Sequence, residues 1–317
     1  MSLSRIIVRL SILSAICLGI LHIANAKIWT INNNPGEQRD YYNLQLAHDG
    51  VLNGDTLYVH GSNIDYGGLV LSKHITIIGP GYFLVANGTR AKIVSARTGE
   101  INFSTGSDGS AIIGMVIGGP LSIDANNILV KRNNITASSI MVGFVNPNTS
   151  QVILQQNFIE VISSPIDFIR LKANNVFICN NCIRLSRGSC AILGGPGYVE
   201  IVNNILSGCV QISGGRYQNN ILLSDTPPDN SINTVSNNIT DDGSIFEGGN
   251  SPDGQYMLRT GSPAIGAGVN GVDCGMFGGD SPYVLSGIPP IPKIYSFDAP
   301  LEGGNQLPVK IKVKSNK

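Results

Sequence analysis

One motif recurs along this chain at a near-constant interval: apolar, any, apolar, any, then a pair of amides. It is cleanest at Val176-Phe-Ile-Cys-Asn-Asn-Cys-Ile183 and returns as Val152-Ile-Leu-Gln-Gln-Asn-Phe-Ile159 and Val199-Glu-Ile-Val-Asn-Asn-Ile-Leu206. Looser copies end at Asn133-Asn134-Ile135, Asn219-Asn220-Ile221 and Asn237-Asn238-Ile239. Counted from Asn134 on the second amide of each copy, with Asn157 in that place, the spacings are 23, 24, 23, 16 and 18 residues. A period of this size marks a solenoid, in which each repeat buries its face only against its neighbours.

Each copy reads as a short strand followed by a corner. Val152 and Leu154, Val176 and Ile178, and Val199 and Ile201 lie two apart, so each pair points to one face of a strand. Asn suits the corner because it tolerates the left-handed backbone region. Coils stacked about 4.8 Å apart bring equivalent Asn side chains within hydrogen-bonding reach. A helical solenoid would need apolar residues three and four apart over 10–15 residues. The repeats lack that pattern and are rich in Val, Ile, Asn and Gly, which are poor helix formers.

A coil of about 23 residues is longer than the left-handed hexapeptide helix gives. Residues 45–245 resemble the right-handed parallel β-helix of the pectate-lyase-like superfamily, a likeness that speaks for fold more than function. Two flanking segments extend it. A short helix around Tyr41–His48, capped by Asp40 and ended by Gly50, precedes Gly54-Asp-Thr-Leu-Tyr-Val-His60 and Lys73-His-Ile-Thr-Ile-Ile-Gly-Pro-Gly81. This order resembles the opening of bacterial secreted β-helix proteins, where the bare end of the solenoid must be covered. Leu258-Arg-Thr-Gly-Ser-Pro-Ala-Ile-Gly-Ala-Gly268 and Asp273-Cys-Gly-Met-Phe-Gly278 resemble the closing segment of such proteins, often those of Bacteroidota. The expected fold is all-β: a right-handed parallel β-helix with a short N-terminal cap helix and an extended C-terminal tail. The expected organisation is a signal peptide at 1–26, a cap at 27–72, the β-helix at 73–245 and a closing segment with tail at 246–317.

Arg5 and Arg9, an apolar run from Leu10 to Ile23, and Ala24-Asn25-Ala26 form a secretory signal peptide cut after Ala26. Secretion to the extracellular space or periplasm is therefore expected, with no membrane span in the mature chain. Lysine plus arginine and aspartate plus glutamate number 21 each, which argues against nucleic acid as a partner. Cys179, Cys182, Cys190, Cys209 and Cys274 remain after cleavage, and an odd number cannot all pair within one chain. Cys179 and Cys182 have C-x-x-C spacing, known from zinc and redox sites. Cys182 nevertheless stands where Phe158 and Ile205 stand, which reads as buried filler.

Ala91–Val94, Ile101–Phe103 and Ala111–Ile117 read as further strands. The copy ending at Asn134 has one extra residue at Lys131-Arg132, read as a bulge. A second strand column should hold Ile140, Val142 and Phe144, then Ile166 and Phe168, then Cys190 and Ile192, then Ile212. Ile153, Phe177, Cys179 and Val202 point away from the core columns and need cover. The Pro-rich segment 281–300 or the strand 309–313, running back along the solenoid, is the available cover.

The mature chain has only His48, His60 and His74, none in the repeat body, so no Ser-His-Asp site exists there. Asp241-Asp242-Gly243 reads as a turn rather than a calcium site. The resemblance implies two enzymatic options. Hydrolases of this fold place two or three Asp on one strand face, and no such set recurs here. Lyases use Lys or Arg as base beside a uronate carboxylate, with calcium as cofactor. The basic residues Arg170, Lys172, Arg184 and Arg187, with Asp167 near them and Lys131 and Arg132 before them, are the weak candidates. With few acids to hold a cation, no metal or other cofactor is expected, and the quartet is not expected to form a lyase centre. The expected role is structural or carbohydrate-interacting, without catalysis and with an extracellular polysaccharide as partner. The alternative is a polysaccharide lyase acting on a uronate-containing polymer. Aromatic residues are 6%, with a single Trp at Trp29, so no glycan platform stands out.

Overall fold

The computed structural model describes residues 26–89, 91–161, 167–185, 190–195, 197–223, 231–300 and 308–315. Residues 1–25 of the expected signal peptide and Arg187 therefore lie outside the described residues, as does Ile166. Among the described residues, parallel strands stack into three sheets of ten, eight and seven strands, forming a right-handed parallel β-helix. One coil runs Ser150–Gln155 in the long sheet, Phe158–Val161 in the second and Asp167–Leu171 in the third, then re-enters the long sheet at Asn174–Cys179. Ile28–Ile31 and Thr56–Val59 form the first two rungs of the long sheet. Helix α1, Leu44–Gly50, covers that end with Leu44, Ala47 and His48 buried. Its cap is Asn43, which accepts from Leu46 N; Asp40, the expected cap, instead accepts from Thr30 N and Oγ1.

The long-sheet core columns are as expected. Val152, Val176 and Val199 are in register, as are Leu154, Ile178 and Ile201, all at 0–1% exposure. At the corner, Asn157, Asn181 and Asn204 form one continuous ladder. Asn157 N and Nδ2 both donate to Asn181 Oδ1 (2.9 and 3.0 Å), and Asn181 does the same to Asn204. The second Nδ2 hydrogen of Asn157 goes to Val130 O in the preceding coil, and that of Asn181 to Leu154 O. Each buried amide is thus saturated, as a buried polar group must be. The ladder continues through Asn220 to Asn238 and begins at Asn133, not Asn134. Arg132 takes the left-handed position (φ +52°) occupied by Gln156, Asn180 and Asn203 in later coils, so no residue is extra and no bulge exists. Asn134 instead opens the second-sheet strand opposite Phe158.

The third-sheet column also differs by one residue. Ile140 and Val142 pair with Ile169 and Leu171, and Ile192 pairs with Val210 rather than Ile212. The pairing of the later coils has a register irregularity between Cys190 and Ile192. Residues 91–94 form no strand; a short helix α2, Leu84–Asn87, precedes them. Asp241 and Asp242 accept from Gly243 N and Ser244 N, as the turn reading requires. Cys209 is disulfide-bonded, and its backbone pairs in register with Cys190.

The second sheet is apolar on both faces. Ile135, Ile159, Ile183 and Leu206 point into the solenoid, and Phe158, Cys182, Ile205 and Ile221 point out. Residues 245–289 run back along this outer stripe and cover it with Ile245, Tyr256, Ala264, Cys274, Met276 and Tyr283. The cover is thus mainly residues 245–280, upstream of the expected 281–300, and it lies over this stripe; the strand Lys310–Lys314, the other expected cover, is exposed throughout. Phe177 and Val202, on the outer face of the long sheet, remain half-buried. The first amide of each pair docks this strap rung by rung. Asn219 Nδ2 donates to Ala267 O, Asn203 Oδ1 accepts from Val269 N, Asn180 Nδ2 donates to Gly275 O, and Gln156 Nε2 donates to Ser281 O. Arg132, at 0% exposure, ends the row by donating to Gln156 Oε1 and to the carbonyls of Ser281, Pro282 and Ile288.

Two outcomes are expected. Ile178→Asp places an unpaired carboxylate in a 0%-exposed column and abolishes folding, seen as loss of soluble protein and of the sheet signal in circular dichroism. Arg132→Met strips three strap carbonyls of charged donors, worth about 1.5–3 kcal/mol each. Limited proteolysis should then cut within 245–289 while the strand content persists; an uncut strap contradicts the docking role.

Candidate functional site

Of the basic quartet, the three described members, Arg170, Lys172 and Arg184, are split between two sheets and have different partners. Arg170 and Lys172 lie at the third sheet, exposed, and both sit over the Phe144 ring of the preceding coil, at 5.0 and 4.4 Å from its centroid. Arg184 belongs to the second sheet, pairs with Glu160 one coil earlier at 2.8 Å, and lies over Tyr256. Asp167 starts the third-sheet strand. Among the described residues, no group of three or more His, Cys, Asp or Glu could hold a metal ion.

Trp29 is likewise engaged. Its Nε1 donates to Asp55 Oδ2, Tyr41 packs edge-on against it, and Lys27 Nζ lies 3.4 Å above its ring centroid. Asp55 also accepts from Lys27 N and Leu52 N. The only tryptophan therefore locks the first coil. His48 is buried and structural: its Nε2 accepts from Ser72 N, and Nδ1 faces Asp49 at 2.8 Å.

A cleft of about 440 Å³ lies at this N-terminal end, between the long sheet and the returning tail. Alternation along Thr56–Val59 turns Leu57 and Val59 inward and leaves Tyr58 and then His60 outward, with their rings 5.4 Å apart and nearly perpendicular. The opposite wall is Ile294 and Phe297 from the strand Lys293–Asp298, with Lys293 only 3% exposed. Lys92 and Val94 form the third side. Gly61 lets the 91–94 segment pass close, because a Cβ there would strike the Val94 carbonyl. Ala91 N donates to Ile294 O and ties that segment to the tail. Two shallower hollows flank the cleft. One shares His60 and is lined by Glu37, Arg39 and Asp40; the other shares Val94 and is lined by Asn63, Asp65 and Arg97. The result is a run of three depressions: the central one has aromatic and aliphatic walls and a volume suited to a small ring, the one at Glu37, Arg39 and Asp40 is polar and charged, and the one at Asp65 and Arg97 has Val85 and Ile93 in its wall.

The alternation at Thr56-Leu-Tyr-Val-His60 carries the outward Tyr58 and His60 in plain view. Their partners Lys293 and Phe297 lie more than two hundred residues away, and nothing local links them. Known proteins add no constraint: no family model, no curated protein and no solved structure matches the chain. Among the described residues, no helix is long and apolar enough to cross a membrane.

The C-x-x-C thiols have the opposite character of a reactive pair. Burial pushes the Cys179 thiol up to about 11 and that of Cys182 higher still, and in the strap burial pushes Cys274 to about 12. A reactive thiol needs a lowered value. The folded chain holds these protons more tightly than the unfolded chain. Their contribution to stability is therefore full below about pH 8.5 and is lost as pH rises through 11 to 12. The unfolding midpoint should fall across that alkaline window. Iodoacetamide at about pH 8 should label Cys182 and Cys274 only after denaturation, and the half-buried Cys179 slowly; rapid labelling of Cys182 or Cys274 in the native protein contradicts their burial.

Proposed function

We propose that this chain is an exported, non-catalytic binding β-helix, akin to the secreted pectate-lyase-like proteins of bacteria, which holds an extracellular polysaccharide at its N-terminal end. The observation that supports this is the cleft: Tyr58, His60 and Phe297 offer ring faces, and Lys92 brings a cation to the same ring-sized space. Sugar rings pack their CH faces on aromatic side chains, and their hydroxyls or carboxylates take hydrogen bonds from the rim. The flanking hollows would take neighbouring units of a polymer. The strap and amide ladder supply the rigid frame on which such a site keeps its shape.

The test is titration calorimetry of the purified protein against a panel of neutral and acidic oligosaccharides. Binding is expected, and Tyr58→Ala should weaken it about tenfold or more, since removal of a stacked aromatic anchor commonly costs over about 1 kcal/mol, with the melting temperature little changed. Absence of binding across the panel, or indifference to Tyr58→Ala, contradicts the proposal. Appearance of unsaturated uronate ends, abolished by Lys172→Ala or Arg170→Ala in a folded protein, would instead establish a lyase.

A further inference from the structure

Beyond the strap the chain makes a two-stranded antiparallel hairpin, Lys293–Asp298 with Lys310–Lys314. Its register sets Ile294 opposite Val313 and Phe297 opposite Ile311 on one face. Ser296 opposes Lys312, and Asp298 opposes Lys310, on the other. The strand Lys310–Lys314 is exposed at every position. Phe297 is 58% exposed, Ile311 52% and Val313 59%. Isolated two-stranded hairpins are marginal in water, and exposed apolar faces of this kind mark a contact surface.

Charge selects the occupant. Lys310, Lys312 and Lys314 alternate with Ile311 and Val313, and the only acid within the paired strands is Asp298. A second copy pairing along the open edge of Lys310–Lys314 would set all three lysines against their own equivalents, where the hairpin itself carries a single such pair, Lys293 opposite Lys314, and like charges across strands repel. The occupant must therefore be anionic and must accept aliphatic side chains without a pocket or fixed register. An anionic lipid surface has both properties. The aliphatic side chains of Ile311 and Val313 reach the acyl boundary, and lysine stems extend to the headgroups. We infer that this hairpin is a peripheral anchor that docks the protein on an anionic bilayer surface. Ile294 and Phe297 of the paired strand line the cleft, so the anchor proper is the strand Lys310–Lys314, which contributes nothing to the cleft lining.

The experiment is vesicle co-sedimentation of the purified chain from Lys27 onward, which keeps every described strand and helix. Vesicles of phosphatidylcholine containing phosphatidylglycerol are compared with phosphatidylcholine alone. Binding is expected only to the anionic vesicles and should weaken steeply with salt. The triple variant Lys310→Ser, Lys312→Ser, Lys314→Ser should lose about a hundredfold in partitioning, at about fivefold for each lysine near an anionic surface. The double variant Ile311→Ser, Val313→Ser should also lose binding, at about tenfold or more. Both should keep the wild-type melting curve and saccharide affinity, since the strand is exposed throughout. The inference is overturned by equal binding to both vesicle types or by none to either. It is also overturned if the Ile311/Val313 variant binds like the wild type, which would leave a diffuse charge effect. Capture of the hairpin by an acidic protein, with no affinity for vesicles, overturns it too.

Discussion

A carboxamide column inside a solenoid is stable only if every donor and acceptor in it is answered, and this constraint organises the molecule. In each regular coil the inner amide oxygen accepts two hydrogen bonds from the amide residue before it. Its Nδ2 gives one to the amide after it and another to a strand carbonyl of the preceding coil. The contacts lock coil to coil in one register. A slip by one residue would exchange the apolar pairs for their outward neighbours and leave the amides unanswered. The Val and Ile columns supply the apolar burial, and the ladder decides which stacking is allowed.

The doublet has a second consequence. The residue before each ladder amide is held at φ between +52° and +58°, which turns its side chain away from the core. Those side chains form an outward row, and the row docks the closing segment. The apolar outer stripe of the second sheet is therefore covered by the same chain. The coil interval of 16 residues near the end follows from the same geometry: the second-sheet strand Ile205–Ser207 is joined to the third-sheet strand Cys209–Gln211 by Gly208 alone.

Much of this is readable in the residues. Val152, Val176 and Val199 and their partners two residues on announce the core, and the paired amides announce the corner. The ladder's first rung is not readable in the same way. Counting amide pairs puts it at Asn134, because Arg132 occupies a left-handed position that composition alone would give to Asn or Gly. Its reason for being there is the strap, through the carbonyls of Ser281, Pro282 and Ile288. The target of the strap is hidden for a related reason. Period-two reasoning points to Phe177 and Val202, whereas the stripe that needs full cover follows the corner at Phe158, Cys182 and Ile205. The cleft is invisible in the sequence because it joins Tyr58 to Phe297 across most of the chain.

The central claim is that adjacent amides divide two tasks, one holding coils together and its neighbour holding the strap. Hydrogen exchange followed by mass spectrometry on Asn181→Ala and Asn180→Gly separates the two tasks. Asn181→Ala leaves Asn157 N and Nδ2 without their acceptor and Leu154 O without its donor, at about 1–3 kcal/mol for each buried group. For that variant the account predicts faster exchange throughout the stacked long-sheet strands Ser150–Gln155, Asn174–Cys179 and Val199–Val202. Asn180→Gly removes the bond to Gly275 O and keeps the left-handed corner, so it should speed exchange in the strap around 268–279 and leave those strands as protected as before. Equal protection loss in both variants, in the same segments, would contradict the division of labour.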